Sequence, residues 1–173
     1  EWYTTLMRIT PVKTDPVTER GDILLFLKKF IPKLEERSVV VITSKIVAIF
    51  EGRTIKMEPG VKKEQFVEQE SEQFIDPKYN LYGFHITIKN DTLIASAGID
   101  ESNGNGYYVL WPDDPYKTAS TIWSYLRNEF NINHLGIVIT DSKVTPLRWG
   151  VTGIGLAYCG FKPLNDFRGK PDI

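Results

Sequence analysis

The apolar residues of this chain change period several times, and the sharpest change falls between residues 115 and 140. After Pro112-Asp113-Asp114-Pro115, the residues Ala119, Ile122, Trp123, Leu126 and Phe130 share one stripe of a helix. A few positions later, Leu135 to Thr140 is an apolar run of strand length, ending at Asp141-Ser142. A one-sided helix and a buried strand each need an apolar partner, so the chain must build layers that mix helices with sheet. The expected fold class is α/β, in the mixed α+β sense.

The rest of the chain reads the same way. Asp22 is placed to cap a helix carrying Ile23, Phe26, Leu27, Phe30 and Ile31, which Pro32 bends or ends. Val39 to Ile42 reads as a buried strand, and a second apolar run, Ile46 to Phe50, precedes a turn at Glu51-Gly52. Residues 61–75 place Phe66, Val67 and Phe74 at loosely helical spacing on a surface helix. Tyr82, Phe84, Ile86 and Ile88 alternate with other residues, and Asn90-Asp91 turns the chain into Thr92 to Ala97, which makes a hairpin. A loop at 98–106 leads into a strand from Tyr107 to Trp111. Val151 to Cys159 fits either a glycine-spaced strand or a closely packed helix. No repeat or linker divides the 173 residues, so residues 1–173 are expected to form one domain.

Composition excludes several classes of function. Lys and Arg number 21 against 22 for Asp and Glu, so no basic excess exists to hold duplex nucleic acid or an anionic membrane. No apolar run approaches the length of a bilayer span. The single cysteine, Cys159, rules out an intrachain disulfide and a cysteine-based zinc site, and a cytoplasmic setting is expected. Cys159 itself reads as a structural thiol, and His85 and His134 lack ligand partners at useful spacing. Trp2, Trp111, Trp123 and Trp149 read as core or interface anchors, with Trp123 in the core and Trp111 and Trp149 open to an interface.

Two carboxylates are the candidates for chemistry. Asp100 and Asp141 each follow an apolar strand directly, the place where α/β proteins collect ligands. Ser102 and Asn103 lie beside the first and Ser142 beside the second, giving a hard-oxygen environment for Mg²⁺ or Mn²⁺. The competing reading is that both aspartates stabilise turns. Lys45, next to Thr43 and Ser44, is either a point charge for a phosphate or an ordinary surface lysine. Neither a GxxxxGK[ST] phosphate loop nor a GxGxxG fingerprint occurs.

Several blocks share an order and spacing. They are Thr43-Ser44-Lys45-Ile46-Val47, Glu51-Gly52-Arg53, Ala97-Gly98-Ile99-Asp100-Glu101-Ser102-Asn103, Ile139-Thr140-Asp141-Ser142, Pro146-Leu147-Arg148-Trp149-Gly150-Val151 and Arg168-Gly169-Lys170-Pro171-Asp172. Together they resemble the coenzyme F420-0:γ-glutamyl ligase family from about Gly21 onward. The resemblance implies a GTP- and metal-dependent ligase that joins L-glutamate to a coenzyme carboxylate through an acyl phosphate. The acceptor is anionic, either a deazaflavin coenzyme or a folate, and the implied assembly is a homodimer. By position, Asp100, Asp141 and Ser142 match metal contacts. Ser44, Lys45, Asn103 and the turn Asp15, Pro16, Val17 and Thr18 match nucleotide contacts.

Arg148 is a candidate clamp for an anionic substrate, because its planar fork pairs bidentately with carboxylate or phosphate. A family lysine falls on Ile49 here, with Lys45 the nearby cation, and the resemblance implies a further C-terminal portion after Ile173. Against the ligase stand two other readings: a nucleotide- or metal-binding module without catalysis, and a purely structural dimerisation domain.

Overall fold

The computed structural model describes residues 7–18, 20–102 and 104–171. Its largest sheet has three strands: β1 (Ser38–Thr43), β7 (Leu135–Val144) and β8 (Val151–Cys159), in the order β1-β7-β8. β1 runs parallel to β7 with Ser38 opposite Leu135 and Thr43 opposite Thr140, and β8 returns antiparallel to β7. Parallel pairing needs a long crossover. Here the whole middle of the chain supplies it.

Three helices build the main core with this sheet. α1 (Ile23–Phe30) starts at Asp22, whose carboxylate accepts from the backbone N–H groups of Leu24 at 2.8 Å and Leu25 at 3.3 Å. α4 (Pro115–Phe130) is capped by Asp114, which accepts from the Lys117 N–H at 2.9 Å, and ends on Asn131 in the left-handed conformation. The expected stripe is its buried face. Ala119, Ile122 and Leu126 are fully enclosed and meet Leu27, Ile42, Val47, Ile137 and Ile139 in the main core. Trp123 packs beside this core and donates its indole N–H to the Leu135 carbonyl at 2.9 Å.

Between β1 and α4 lies a smaller lobe. The apolar run Ile46–Phe50 is helical: α2 (Ser44–Glu51) follows β1 without a break and buries Ser44, Val47 and Ala48. Gly52, at φ 76°, closes it in the left-handed conformation that glycine takes without steric cost. β2 (Thr54–Lys56) pairs antiparallel with β6 (Tyr107–Val109). Residues 61–75 divide into α3 (Lys63–Glu70) and a short strand, β3 (Gln73–Ile75), so the surface helix covers only the first part of that segment.

β3 joins the expected hairpin of β4 (Ile86–Lys89) and β5 (Thr92–Ala95). Asn90 and Asp91 have φ of 49° and 55°, the pair of positive values that a type I′ turn demands. Val67, Ala97, Ile99 and Leu110 form a second, smaller core. The segment 151–159 is a strand, which decides between the two readings its sequence allowed. Among the described residues no helix is long and apolar enough to cross a membrane.

Candidate active site

The parallel register sets the site. Because Thr43 lies opposite Thr140, the residues that follow, Ser44 at the start of α2 and Asp141 within β7, stand side by side. Ser44 is buried at the first position of α2 and its hydroxyl donates to the Asp141 carboxylate. Asp141 does not end its strand, as its sequence position suggested. β7 continues to Val144, and a bulge on β8 falls just before Thr140, where Leu156 has no partner of its own.

Asp100 arrives from the smaller lobe. Its backbone is pinned to β6 by two bonds, Asp100 N–H to the Val109 carbonyl at 2.9 Å and Val109 N–H to the Asp100 carbonyl at 2.8 Å. Its Oδ1 accepts from the backbone N–H and the hydroxyl of Ser102, each at 2.8 Å, while Oδ2 pairs with Lys45 Nζ. Lys45 is the second residue of α2, so one helix start supplies a hydroxyl to Asp141 and an ammonium to Asp100.

Trp111 completes the group. Sequence reading left it open to an interface, but it is 2% exposed and its indole N–H donates to Asp141 Oδ2. Space for that ring comes from Gly98, where an added Cβ would sit 2.1 Å from Trp111 Nε1. Gly98 also has φ +72°, so its place in the Ala97-Gly98-Ile99-Asp100 block follows from backbone conformation and from the indole together. The neighbouring Glu51-Gly52-Arg53 turn has its own task. The Glu51 carboxylate accepts from the Asp113 N–H at 2.8 Å and the Thr118 hydroxyl at 2.6 Å, and Arg53 Nε donates to the Trp111 carbonyl at 3.1 Å.

The two carboxylates differ electrostatically. Burial pushes the Asp141 pKa above the ordinary carboxylate value, and the negative charge of Asp100 adds to this, against the bonds from Ser142, Trp111 and Ser44. Burial also acts on Asp100, but Lys45 and Ser102 outweigh it and hold that pKa below the ordinary value. Two carboxylates that feel each other's charge, ringed by serine hydroxyls, form a donor set of hard oxygens. Among the described residues no group of three or more His, Cys, Asp or Glu gathers as a metal cage. Asp100 and Asp141 are the residues that could hold a hard cation such as Mg²⁺ or Mn²⁺, with phosphate and water supplying its remaining ligands.

The model of the F420-0:γ-glutamyl ligase family matches residues 11–173. The chain belongs to that family. Relatives within it include the coenzyme F420:L-glutamate ligase of Methanopyrus kandleri, 28% identical over 96% of this chain and 72% of the relative. The enzymes of the same name from Methanosarcina acetivorans and Archaeoglobus fulgidus are 27% and 25% identical, covering 94% and 96% of this chain and 69% and 72% of theirs.

The F420-0:γ-glutamyl ligase motifs are gathered only in part. Ser44, Lys45, Asp100, Asp141 and Ser142 come together, with the Ser142 N–H on Asp141 Oδ1 at 2.7 Å. The segment Asp15, Pro16, Val17 and Thr18 is irregular backbone rather than a turn, and Asp15 pairs with Lys29 Nζ of α1 at 2.7 Å. Arg148 lies in the exposed connection between β7 and β8, and among the described residues it forms no ion pair. Asn103 and Trp2 lie outside the described residues. Sequence reading missed Trp111 and Arg53. The signal available for both was local: Trp111 closes a strand after a glycine-rich loop, and Arg53 follows a helix-ending glycine.

Proposed function

We propose that this chain carries out, or forms the larger part of, a GTP-dependent ligation of L-glutamate to a carboxylate of an F420-type deazaflavin coenzyme. The observation that carries the reading is the convergence of Asp100, Asp141, Ser44 and Lys45 where β1 ends beside β7. The relatives are coenzyme F420:L-glutamate ligases, and their acceptor supports an F420-type acceptor here. A folate is the other anionic acceptor of the right chemistry, and acceptor screening separates the two.

In this reading the acceptor carboxylate attacks the γ-phosphorus of GTP, giving an acyl phosphate and GDP. The amine of glutamate then attacks the acyl carbon, loses a proton and expels phosphate. Asp100 and Asp141, with Ser142 beside them, would hold a divalent cation, whose charge would offset that on the phosphoryl oxygens. Lys45 supplies a compact positive charge to the same phosphates, exchanging its hold on Asp100 for the nucleotide. Ser44 stands at the positive end of α2, where unpaired helix N–H groups favour an anion. Trp111 and Ser142 keep the Asp141 carboxylate in one orientation. Arg148, on its exposed loop, presents a planar fork to the anionic acceptor. The exposed Leu147, Trp149 and Val151 beside it offer a surface for a second copy of the chain.

Calorimetric titration of GTP with and without Mn²⁺, using Asp141→Asn as control, tests the reading. Metal-dependent binding that the control loses is the expected result. Nucleotide binding that ignores both metal and Asp141 overturns the assignment. Binding without turnover in the presence of glutamate and acceptor would identify the non-catalytic module.

A further inference from the structure

A second polar cluster lies against the ring of Trp111. Glu70, the last residue of α3, accepts from Arg53 Nη2 at 2.6 Å and pairs with Nζ of Lys89, the last residue of β4. The Lys89 side chain is only 9% exposed, and its ammonium stands over the Trp111 ring, 5.8 Å from the centre. Burying a lysine is costly unless its charge is met. Glu70 meets that charge but divides its carboxylate between Lys89 and Arg53, and the indole face supplies the second contact of the ammonium.

The indole is thereby set between opposite charges. An aromatic ring carries a negative face and a positive edge. Lys89 stands over the face, and the Asp141 carboxylate accepts from the N–H on the edge. A cation on the face draws electron density away from the ring nitrogen and makes its N–H the stronger donor. A carboxylate on the N–H returns density to the face and makes it the better seat for the cation. Linked contacts of this kind strengthen one another where water is excluded, and Trp111 is 2% exposed.

The ring is also held in place by its own backbone. Arg53 Nε donates to the Trp111 carbonyl at 3.1 Å, so the side chain that binds Glu70 fixes the residue that carries the indole. Lys89 from β4, Glu70 from α3 and Arg53 from the turn after α2 thus converge on one tryptophan, and that tryptophan reaches Asp141.

We infer that Lys89 is a positioning residue for Asp141, acting through Trp111: its ammonium strengthens and orients the indole N–H that fixes which way the carboxylate faces. The inference rests on the ligase reading above for what Asp141 is held to do, and on the geometry alone for the link from Lys89 to Asp141. Direct electrostatics gives the opposite sign. Removing a nearby positive charge tightens a cation site, whereas loosening Trp111 weakens it.

Lys89→Met keeps the length of the side chain and removes its charge, with Arg53 still on Glu70. Proton–nitrogen NMR of the metal-free full chain reads the Trp111 indole N–H, assigned by its absence from Trp111→Phe. In Lys89→Met this resonance should move upfield, the direction set by Asp141→Ala, and its hydrogen exchange should quicken severalfold. Lys89→Arg should restore both. Titration of Mn²⁺ in the presence of GTP is the second readout. Lys89→Met should bind the ion severalfold more weakly, Lys89→Arg should match the parent, and in a Trp111→Phe background Lys89→Met should cause no further weakening. Lys89→Gln, which keeps a polar head for Glu70, gives the same readings where the methionine variant does not fold. An indole resonance that stays in place or moves downfield overturns the inference and leaves the cluster as an ion network supporting the fold. Tighter Mn²⁺ binding, or weakening that persists in Trp111→Phe, overturns it as well. Failure of Mn²⁺ and GTP to bind the parent overturns the ligase reading alone, and the indole resonance then decides whether Lys89 sets the bond from Trp111 to Asp141.

Discussion

The indole N–H of Trp111 donates to Asp141 Oδ2 across a sequence separation of thirty residues, joining the smaller lobe to the central strand of the main sheet. The carboxylate is the partly buried member of the aspartate pair, and three donors share its two oxygens: Trp111, Ser142 and Ser44. Few lone pairs remain free, so the donors fix the direction in which Asp141 can accept a further partner.

Replacing Trp111 by Phe keeps most of the ring and removes the donor. A hydrogen bond to a charged group contributes about 1.5–3 kcal/mol, and a loss of that order is expected in urea denaturation at neutral pH. The same variant should bind Mn²⁺ in the presence of GTP severalfold more weakly, because Asp141 loses one of its anchors. An unchanged metal affinity would show that Ser142 and Ser44 suffice to hold the carboxylate.

Gly98→Ala should destabilise by more than about 2 kcal/mol. The positive φ costs roughly 1–2 kcal/mol for an L side chain, and the added methyl collides with the Trp111 ring 2.1 Å away. Shortening the ring in Trp111→Leu removes the collision. The double variant should therefore be more stable than the sum of the single effects by at least about 1 kcal/mol, read from a double-mutant cycle.

Glu70 links stability to pH. Burial raises its pKa, but Lys89 and Arg53 together outweigh that and hold it below the ordinary value of 4.5. A depressed carboxylate stabilises the fold above its ordinary pKa and loses that contribution as pH falls through the folded value. The stability difference between the parent and Glu70→Gln should be constant from pH 6 to 8 and shrink below about pH 4.5. A difference independent of pH would place the stabilising effect in packing.

The hairpin turn offers a gain. Asp91 takes φ 55° in the second central position of a type I′ turn, where glycine is favoured. Asp91→Gly should raise stability by about 0.5–1 kcal/mol in thermal or urea unfolding, the scale of relieving a left-handed side chain less the entropy of a freer unfolded chain.

What the sequence made legible was local. The stripe of α4, the Asp22 and Asp114 caps and the Asn90-Asp91 turn depend on residues within a few positions of one another, and periodicity or turn chemistry reports such features directly. Ile46–Phe50 sits where that logic weakens, since an apolar run of five residues has no period long enough to distinguish strand from helix. The two aspartates were visible as strand-end acids and Lys45 as a cation beside Thr43 and Ser44, with Ser44 itself marked by family motifs. That the four converge depends on the β1–β7 register, which no local pattern encodes. Trp111 was misplaced for a related reason. Its burial depends on a glycine thirteen residues earlier and an aspartate thirty residues later. The Arg53–Glu70–Lys89 cluster likewise draws one residue from each of three separate elements.

The pairing of Ser38 with Leu135 also sets an order of events. The hairpin of β4 and β5 forms between neighbours, and β2 and β6 meet with α3 already between them in the chain. β1 must instead wait for a strand nearly a hundred positions away, and the entropy of closing that loop is met before any bond of the parallel ladder forms. As the polypeptide leaves the ribosome, Asp100 and Lys45 emerge long before Asp141, with no second carboxylate beside them. The grouping of Asp100, Lys45 and Asp141 is thus withheld until the last strands of the sheet are made, and a premature stop anywhere before β7 leaves Asp100 without its partner carboxylate.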